Sequence, residues 1–289
     1  MTELILIVDL EATCWPPGSP ERPRQSELSE IIELGAVLTE PILRERPEPP
    51  PRFERLIRPS QHPTLTPFCE ELTGIHSAEL TDAPALAQAL EELWAWMERE
   101  SGVQRSEWSL TLASWGAFDR GILKRQAGEL GLWLPDWTHV DLKRVFERWC
   151  RRHRREGVRF GLRKALDARG LTHEGPAHRA LSDALAAWRL WAHIHSPEQL
   201  SEPAAALLGL IQEQGLIGPL RWSRSLPRPL DHKASFERAA LELLDARFIE
   251  ALEHGRGYVE GARARLLSPL KAPPPQTPDT AQRAEDQPL

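Results

Sequence analysis

The sequence predicts an α/β fold, a mixed five-stranded sheet flanked by helices with a C-terminal helical appendage, on three observations. Leu4-Ile5-Leu6-Ile7-Val8 is an unbroken apolar run rich in branched residues, the pattern of a strand covered on both faces. Strand-like segments come first as a meander and then, from Pro84 onward, alternate with helical periodicity, which mixes antiparallel and parallel pairing in one sheet. With 41% hydrophobic residues among 289, the chain can bury a sizeable core.

The elements follow in order. The first strand, Leu4 to Val8, ends in Asp9-Leu10-Glu11; Ile31 to Leu38 reads as a second strand, and Phe53 to Arg58 as a third after a crossing rich in proline. Between Pro84 and Met97 the residues Leu86, Leu90, Leu93, Trp94 and Met97 recur at helical spacing, predicting an amphipathic helix over one sheet face. Trp108 to Trp115 is expected as a fourth strand, 118–131 as a helix, Thr138 to Leu142 as a fifth strand and Lys143 to Arg155 as a basic helix. A helix from Leu181 to His195 closes the unit, giving a domain over residues 1–196.

Residues 197–270 read as a small appendage with helices over Glu202 to Gln214 and Lys233 to Leu267, and 271–289 as a disordered proline-rich tail almost free of large apolar residues. Three widely separated cysteines, Cys14, Cys69 and Cys150, offer no paired spacing, so a reduced, cytoplasmic setting is expected. The N-terminus lacks a basic region with a cleavage signature, and no apolar stretch of roughly 18 residues follows, so the expectation is a soluble chain that is neither exported nor membrane-spanning.

Net charge is −6, which excludes a uniformly basic nucleic-acid binder. Its distribution is uneven. Residues 1–142 carry 12 Lys and Arg against 24 acids, whereas 143–169 carry 11 against only Glu147, Glu156 and Asp167, a local +8. Such a run is either a solvated helix face or a track for phosphodiesters; Arg148, Arg151, Arg152 and Arg155 are the candidates to guide a single strand.

Asp9 and Glu11 alternate along a strand and so point to one side of it. Two anions held together raise each other's proton affinity unless a cation intervenes, and hard divalent ions prefer such oxygen donors. Alone, a D-x-E pair reads more readily as two exposed acids at a strand end. Two further contexts reinforce it: Asp119 after the fourth strand at a helix start, and His178-Arg179-Ala180-Leu181-Ser182-Asp183 entering the closing helix. Each has a bland reading as a helix-terminus residue. Their order along the chain is far more specific.

With Ile7-Val8-Asp9-Leu10-Glu11-Ala12-Thr13-Cys14, Ser29-Glu30-Ile31-Ile32-Glu33-Leu34-Gly35-Ala36-Val37, Pro67 to Ile75, Ser114 to Asp119 and the histidine segment, the sequence resembles the DEDDh 3′-5′ exonucleases of the DnaQ-like, ribonuclease H-like superfamily. Within it, the KapD-like proteins and the three-prime histone mRNA exonucleases are the nearest in motif. The histidine branch fits, because the one tyrosine, Tyr258, lies in the appendage. The resemblance implies that Asp9, Glu11 and Asp183 hold one Mg²⁺ or Mn²⁺, that Asp9 bridges to a second, which Asp119 supports, and that His178 is the general base. It also implies that Leu72, Thr73, Gly74 and Ile75, with the backbone at Ala12, Thr13 and Cys14, cradle the terminal nucleotide. Leu72 and Ile75 are equally readable as core anchors of a turn, and Trp15 either stacks on substrate or packs.

Ser182 and Ala186 stand where relatives often carry an acid and an asparagine, neither of them a metal ligand. The expected activity is therefore two-metal 3′-5′ hydrolysis of single-stranded RNA or DNA 3′ ends, with RNA favoured. The alternatives are a DNA proofreading or repair exonuclease, and a non-catalytic nucleic-acid-binding or interaction module. No membrane partner is expected, and the appendage leaves room for a protein partner or self-association.

Overall fold

The computed structural model describes residues 2–19, 29–39, 50–152, 161–195, 200–214, 217–219, 226–245, 249–251 and 263–266. Five strands, β1 (Thr2–Ala12), β2 (Ile31–Thr39), β3 (Arg52–Leu56), β4 (Trp108–Ser114) and β5 (Trp137–Asp141), form one sheet in the order β3-β2-β1-β4-β5. The β1–β2 and β2–β3 pairs are antiparallel, and β1–β4 and β4–β5 are parallel. The expected meander followed by crossovers is what forms.

Alternation along β1 decides what each face covers. Leu4, Leu6, Val8 and Leu10 point to one side and pack under α3 (Leu86–Ser101) through Leu86, Leu90, Leu93, Trp94 and Met97, whereas Ile5 and Ile7 point to the other and meet Ala184, Ala187, Trp188 and Trp191 of α7 (Ala180–Ile194). Asp9 and Glu11 continue the second face. The sheet's central strand therefore delivers its two carboxylates to the side that α7 occupies.

Three short helices were not expected: α1 (Pro67–Thr73), α2 (Ser77–Leu80) and α6 (Leu162–Asp167). The signals for α1 were nevertheless present. Thr66 caps it by accepting the Cys69 N–H at 3.0 Å, Pro67 sits in its first turn, and Gly74 ends it at φ 68°. Helix α4 (Phe118–Glu129) connects β4 to β5, and α5 (Leu142–Arg152) follows β5. On α5, Leu142, Phe146, Trp149 and Cys150 are buried, while Arg144, Arg148 and Arg151 face solvent. The expected continuation of α5 to Arg155 lies outside the described residues, as does the side chain of Arg152.

The wholly helical appendage needs correction. Helix α8 (Glu202–Gln214) and helix α9 (Lys233–Asp245) do pack together through Leu207, Leu208, Ile211, Phe236, Ala240 and Leu243. Ile249–Ala251 and Arg263–Leu266, however, are strands β7 and β8, which join β6 (Ile217–Pro219) in an antiparallel sheet of order β6-β8-β7. Helix α9 thus ends at Asp245, before β7, and a single helix to Leu267 does not form. The tail 271–289 is outside the described residues.

Candidate active site

The site sits at the C-terminal end of β1. Its register with β2 pairs Asp9 with Gly35 and Glu11 with Glu33. Opposed residues of an antiparallel pair share a face, so all four lie on the α7 side. Gly35 is what allows α7 to come down: a Cβ there would stand 2.2 Å from the carbonyl carbon of Ala180 and the nitrogen of Leu181. With that contact made, the first turn of α7 brings Asp183 to the acids of β1. Ligand atoms of Glu11, His178 and Asp183 lie within 4.8 Å of one another.

Asp119 arrives from the opposite side of β1. It stands in the first turn of α4, is buried, and its Oδ1 accepts the N–H of Leu10 at 3.1 Å. Burial raises its carboxyl to about 6, against the lowering effect of hydrogen bonds from its own N–H, from Leu10 and from the Ser114 hydroxyl. Ser114 in turn lies 3.0 Å from Nε2 of His139.

Burial, followed by repulsion from Asp119, Asp183, Glu11 and Glu33, pushes Asp9 well above the usual carboxylate range. Glu11 rises to about 8, first through burial and then through Asp183, Glu33 and Asp119. The two β1 carboxylates therefore sit in a field that favours their protonated forms until a cation enters.

His178 occupies the left-handed region at φ 60°, the one residue other than glycine to do so among the described residues. Its N–H donates to Asp183 Oδ2 at 3.1 Å. On its C-terminal side, the Arg179 guanidinium and the Ala180 N–H both grip Glu33. The other oxygen of Asp183, Oδ1, meets Nε2 of His173 at 2.5 Å.

The remaining expectations divide. The Thr13 N–H donates to the Glu30 carbonyl at 2.8 Å, the Ala12 carbonyl faces Cys69 Sγ at 3.7 Å, and the Cys14 carbonyl accepts the Thr66 hydroxyl at 2.7 Å. This stretch is thus stitched to β2 and α1 by those groups. Thr73 and Ile75 are buried and anchor the turn around Gly74, whereas Leu72 is exposed. Trp15 is buried edge-on against His62, with ring centroids 5.0 Å apart. Arg148 and Arg151 face solvent, and Arg155 lies outside the described residues.

Sequence reasoning assigned no role to Glu33, Gly35, Arg179, His173 or the exposed Phe118. The first two lie inside the quoted motif stretch, two residues apart on one strand, but only the pairing of β2 with β1 sets them level with Glu11 and Asp9. His173 had none: a histidine five residues before His178 in a glycine- and proline-containing loop is unremarkable by spacing.

A protein-family model described as Exonuclease matches residues 6–191. The chain is 27% identical over 210 residues to ERI1 exoribonuclease 2 of Homo sapiens, an alignment covering 65% of this chain and 28% of that protein. To the 3′-5′ exonuclease eri1 of Schizosaccharomyces pombe it is 29% identical over 204 residues, covering 62% of this chain and 64% of that protein. It thus spans less than a third of the human relative's length. Among solved structures, the nuclease domain of 3′hExo, described as a DEDDh family member bound to rAMP, superposes with a TM-score of 0.55 at 23% identity, covering 66% of this chain and 90% of that one. Cell-death related nuclease 4 gives a TM-score of 0.54 at 16% identity, covering 92% and 81%. Those two likenesses are of fold. The matched span runs from within β1 to α7 and includes Asp9, Glu11, Asp119 and Asp183, and on that match the chain belongs to the exonuclease family.

Proposed function

We propose that this protein is a divalent-metal-dependent 3′-5′ exonuclease that shortens single-stranded nucleic acid, RNA in preference to DNA, and releases nucleoside 5′-monophosphates. One observation carries the reading: Glu11, His178 and Asp183 bring ligand atoms within 4.8 Å of one another, and beside them burial, followed by the charges of neighbouring acids that include Asp119 and Asp183, disfavours the ionised forms of Asp9 and Glu11 until a cation enters. The donor chemistry fits a hard ion, since carboxylate oxygens dominate the set. When bound, two Mg²⁺ or Mn²⁺ ions held by Asp9, Glu11, Asp119 and Asp183 would supply Lewis-acid stabilisation of the attacking and leaving oxygens.

The chain's own groups do the rest. His178 projects from an exposed, left-handed position beside Glu11 and Asp183, and imidazole suits acceptance of a proton from water near neutral pH. It takes that proton as the water attacks the terminal phosphodiester. Leu72 and the exposed ring of Phe118, adjacent to Asp119, offer apolar surface on which a terminal base stacks without being identified. Arg148 and Arg151 lead the backbone in. The names of the relatives support RNA over DNA.

The test is incubation of 5′-labelled single-stranded RNA and DNA with Mg²⁺, Mn²⁺ or EDTA, beside Asp9→Ala and His178→Ala. Stepwise shortening, faster on RNA, that disappears in EDTA and in Asp9→Ala and falls sharply in His178→Ala is expected. Intact substrate under every condition would overturn the proposal.

A further inference from the structure

We propose that Glu33 and Arg179 form a clamp whose task is to position His178, a claim that rests on the reading of His178 as general base. Glu33 is fully buried on β2, directly across the ladder from Glu11. Its Oε1 accepts from Arg179 Nε at 2.9 Å and Nη2 at 2.6 Å, and its Oε2 from the Ala180 N–H at 2.7 Å and Arg179 Nε at 3.2 Å. Four charge-assisted contacts on one carboxylate make this the most heavily satisfied acid of the α7 face. The guanidinium fork is planar and grips both oxygens, which a lysine ammonium cannot reproduce.

The clamp lies next to the residue that most needs it. A histidine held at φ 60° persists only where its surroundings over-determine the backbone. Here the peptide is fixed on both sides: ahead of His178, its N–H is tied to Asp183, and behind it Arg179 and Ala180 are tied to Glu33. Because Glu33 is level with Glu11 in the sheet, the same strand pairing that places a metal-site carboxylate also sets the height of the imidazole. Arg179 and Glu33 touch no reacting atom in this scheme and act through His178.

A double-mutant cycle tests the claim. Kinetics on single-stranded RNA with Mg²⁺ are compared for the wild type, Arg179→Lys, His178→Ala and the double variant, with Mn²⁺ affinity measured separately by electron paramagnetic resonance. A positioning role predicts that Arg179→Lys lowers kcat by about 10- to 100-fold, the order expected of a misplacement near 1 Å, while KM and Mn²⁺ affinity stay within about threefold of wild type. In the His178→Ala background the same substitution costs nothing further, because the group it served is gone. Losses that multiply in the double variant, or a fall in Mn²⁺ affinity parallel to kcat, would show a merely structural pair and overturn the proposal. If Arg179→Lys melts below the assay temperature, Glu33→Gln carries the same cycle with the same outcomes. A His178→Ala variant with wild-type kcat would overturn the general-base reading itself and the clamp with it, a result distinct from multiplicative losses.

Discussion

Gly35→Ala is the sharpest perturbation that the architecture offers. The added methyl would stand 2.2 Å from the Ala180 carbonyl carbon and from the Leu181 nitrogen, and 2.4 Å from the Ala180 oxygen, where ordinary contact begins at 3.4 Å. Both neighbours are backbone at the start of a helix, so no side chain can swing away. Helix α7 must lift by roughly 1 Å, and overpacking of this kind costs about 1–3 kcal/mol. The same lift carries His178 and Asp183 off Asp9 and Glu11, and a displacement of about 1 Å at a reacting constellation costs on the order of 10²-fold in rate. Two assays are needed: urea unfolding for stability, and kcat on labelled single-stranded RNA. Gly128→Ala is the control, because that glycine lies exposed in α4 with nothing within 4 Å of a built Cβ, and it is expected to gain up to about 1 kcal/mol. Wild-type turnover and an unchanged unfolding midpoint in Gly35→Ala would refute the argument that α7 is seated on β2 through this glycine.

Further outcomes follow from the same geometry. Asp9→Asn and Asp183→Asn are expected to lower Mn²⁺ affinity by tenfold or more, whereas His178→Ala keeps affinity within about threefold and loses about 10²- to 10⁴-fold in kcat; calorimetry that finds affinity collapsing in His178→Ala would make the histidine a ligand instead. Glu11, raised from 4.5 to about 8, and Asp119, raised from 3.8 to about 6, hold protons in the folded metal-free chain that the unfolded chain has released. Stability in EDTA should therefore fall as pH rises through that window, from near 4 to near 8, and saturating Mg²⁺ should flatten the decline; parallel melting curves with and without metal would contradict it. Reversing Arg148 and Arg151 to glutamate should reduce the slope of log affinity against log salt by about 1.4, at roughly 0.7 per phosphate contact on a single strand. An unchanged slope would remove α5 from the substrate path.

Most of the sheet and the acids could be read from the residues because burial and periodicity act locally. The Leu4–Val8 run announces a covered strand, and alternation alone places Asp9 and Glu11 together. What could not be read depends on which residues the fold sets side by side. Glu33 looks like one more acid in a strand until pairing puts it opposite Glu11 and beneath Arg179. His173 acquires meaning only when its loop folds back onto Asp183. Helix α1 was masked by its brevity, although Thr66, Pro67 and Gly74 are all stop and start signals. The strands β7 and β8 were missed because Lys233 to Leu267 is rich in helix formers, and the glycines near residue 257 weigh little in a sum over so long a segment.

The central claim, that this constellation hydrolyses the terminal phosphodiester at a 3′ end, is tested most directly with single-stranded RNA labelled at the phosphate joining its last two nucleotides. Chromatography of the earliest products with Mg²⁺ should show the label in the terminal nucleoside 5′-monophosphate and in no longer fragment, with none released in EDTA. Label appearing first in a nucleoside 3′-monophosphate, in a dinucleotide or in internal fragments would contradict the account.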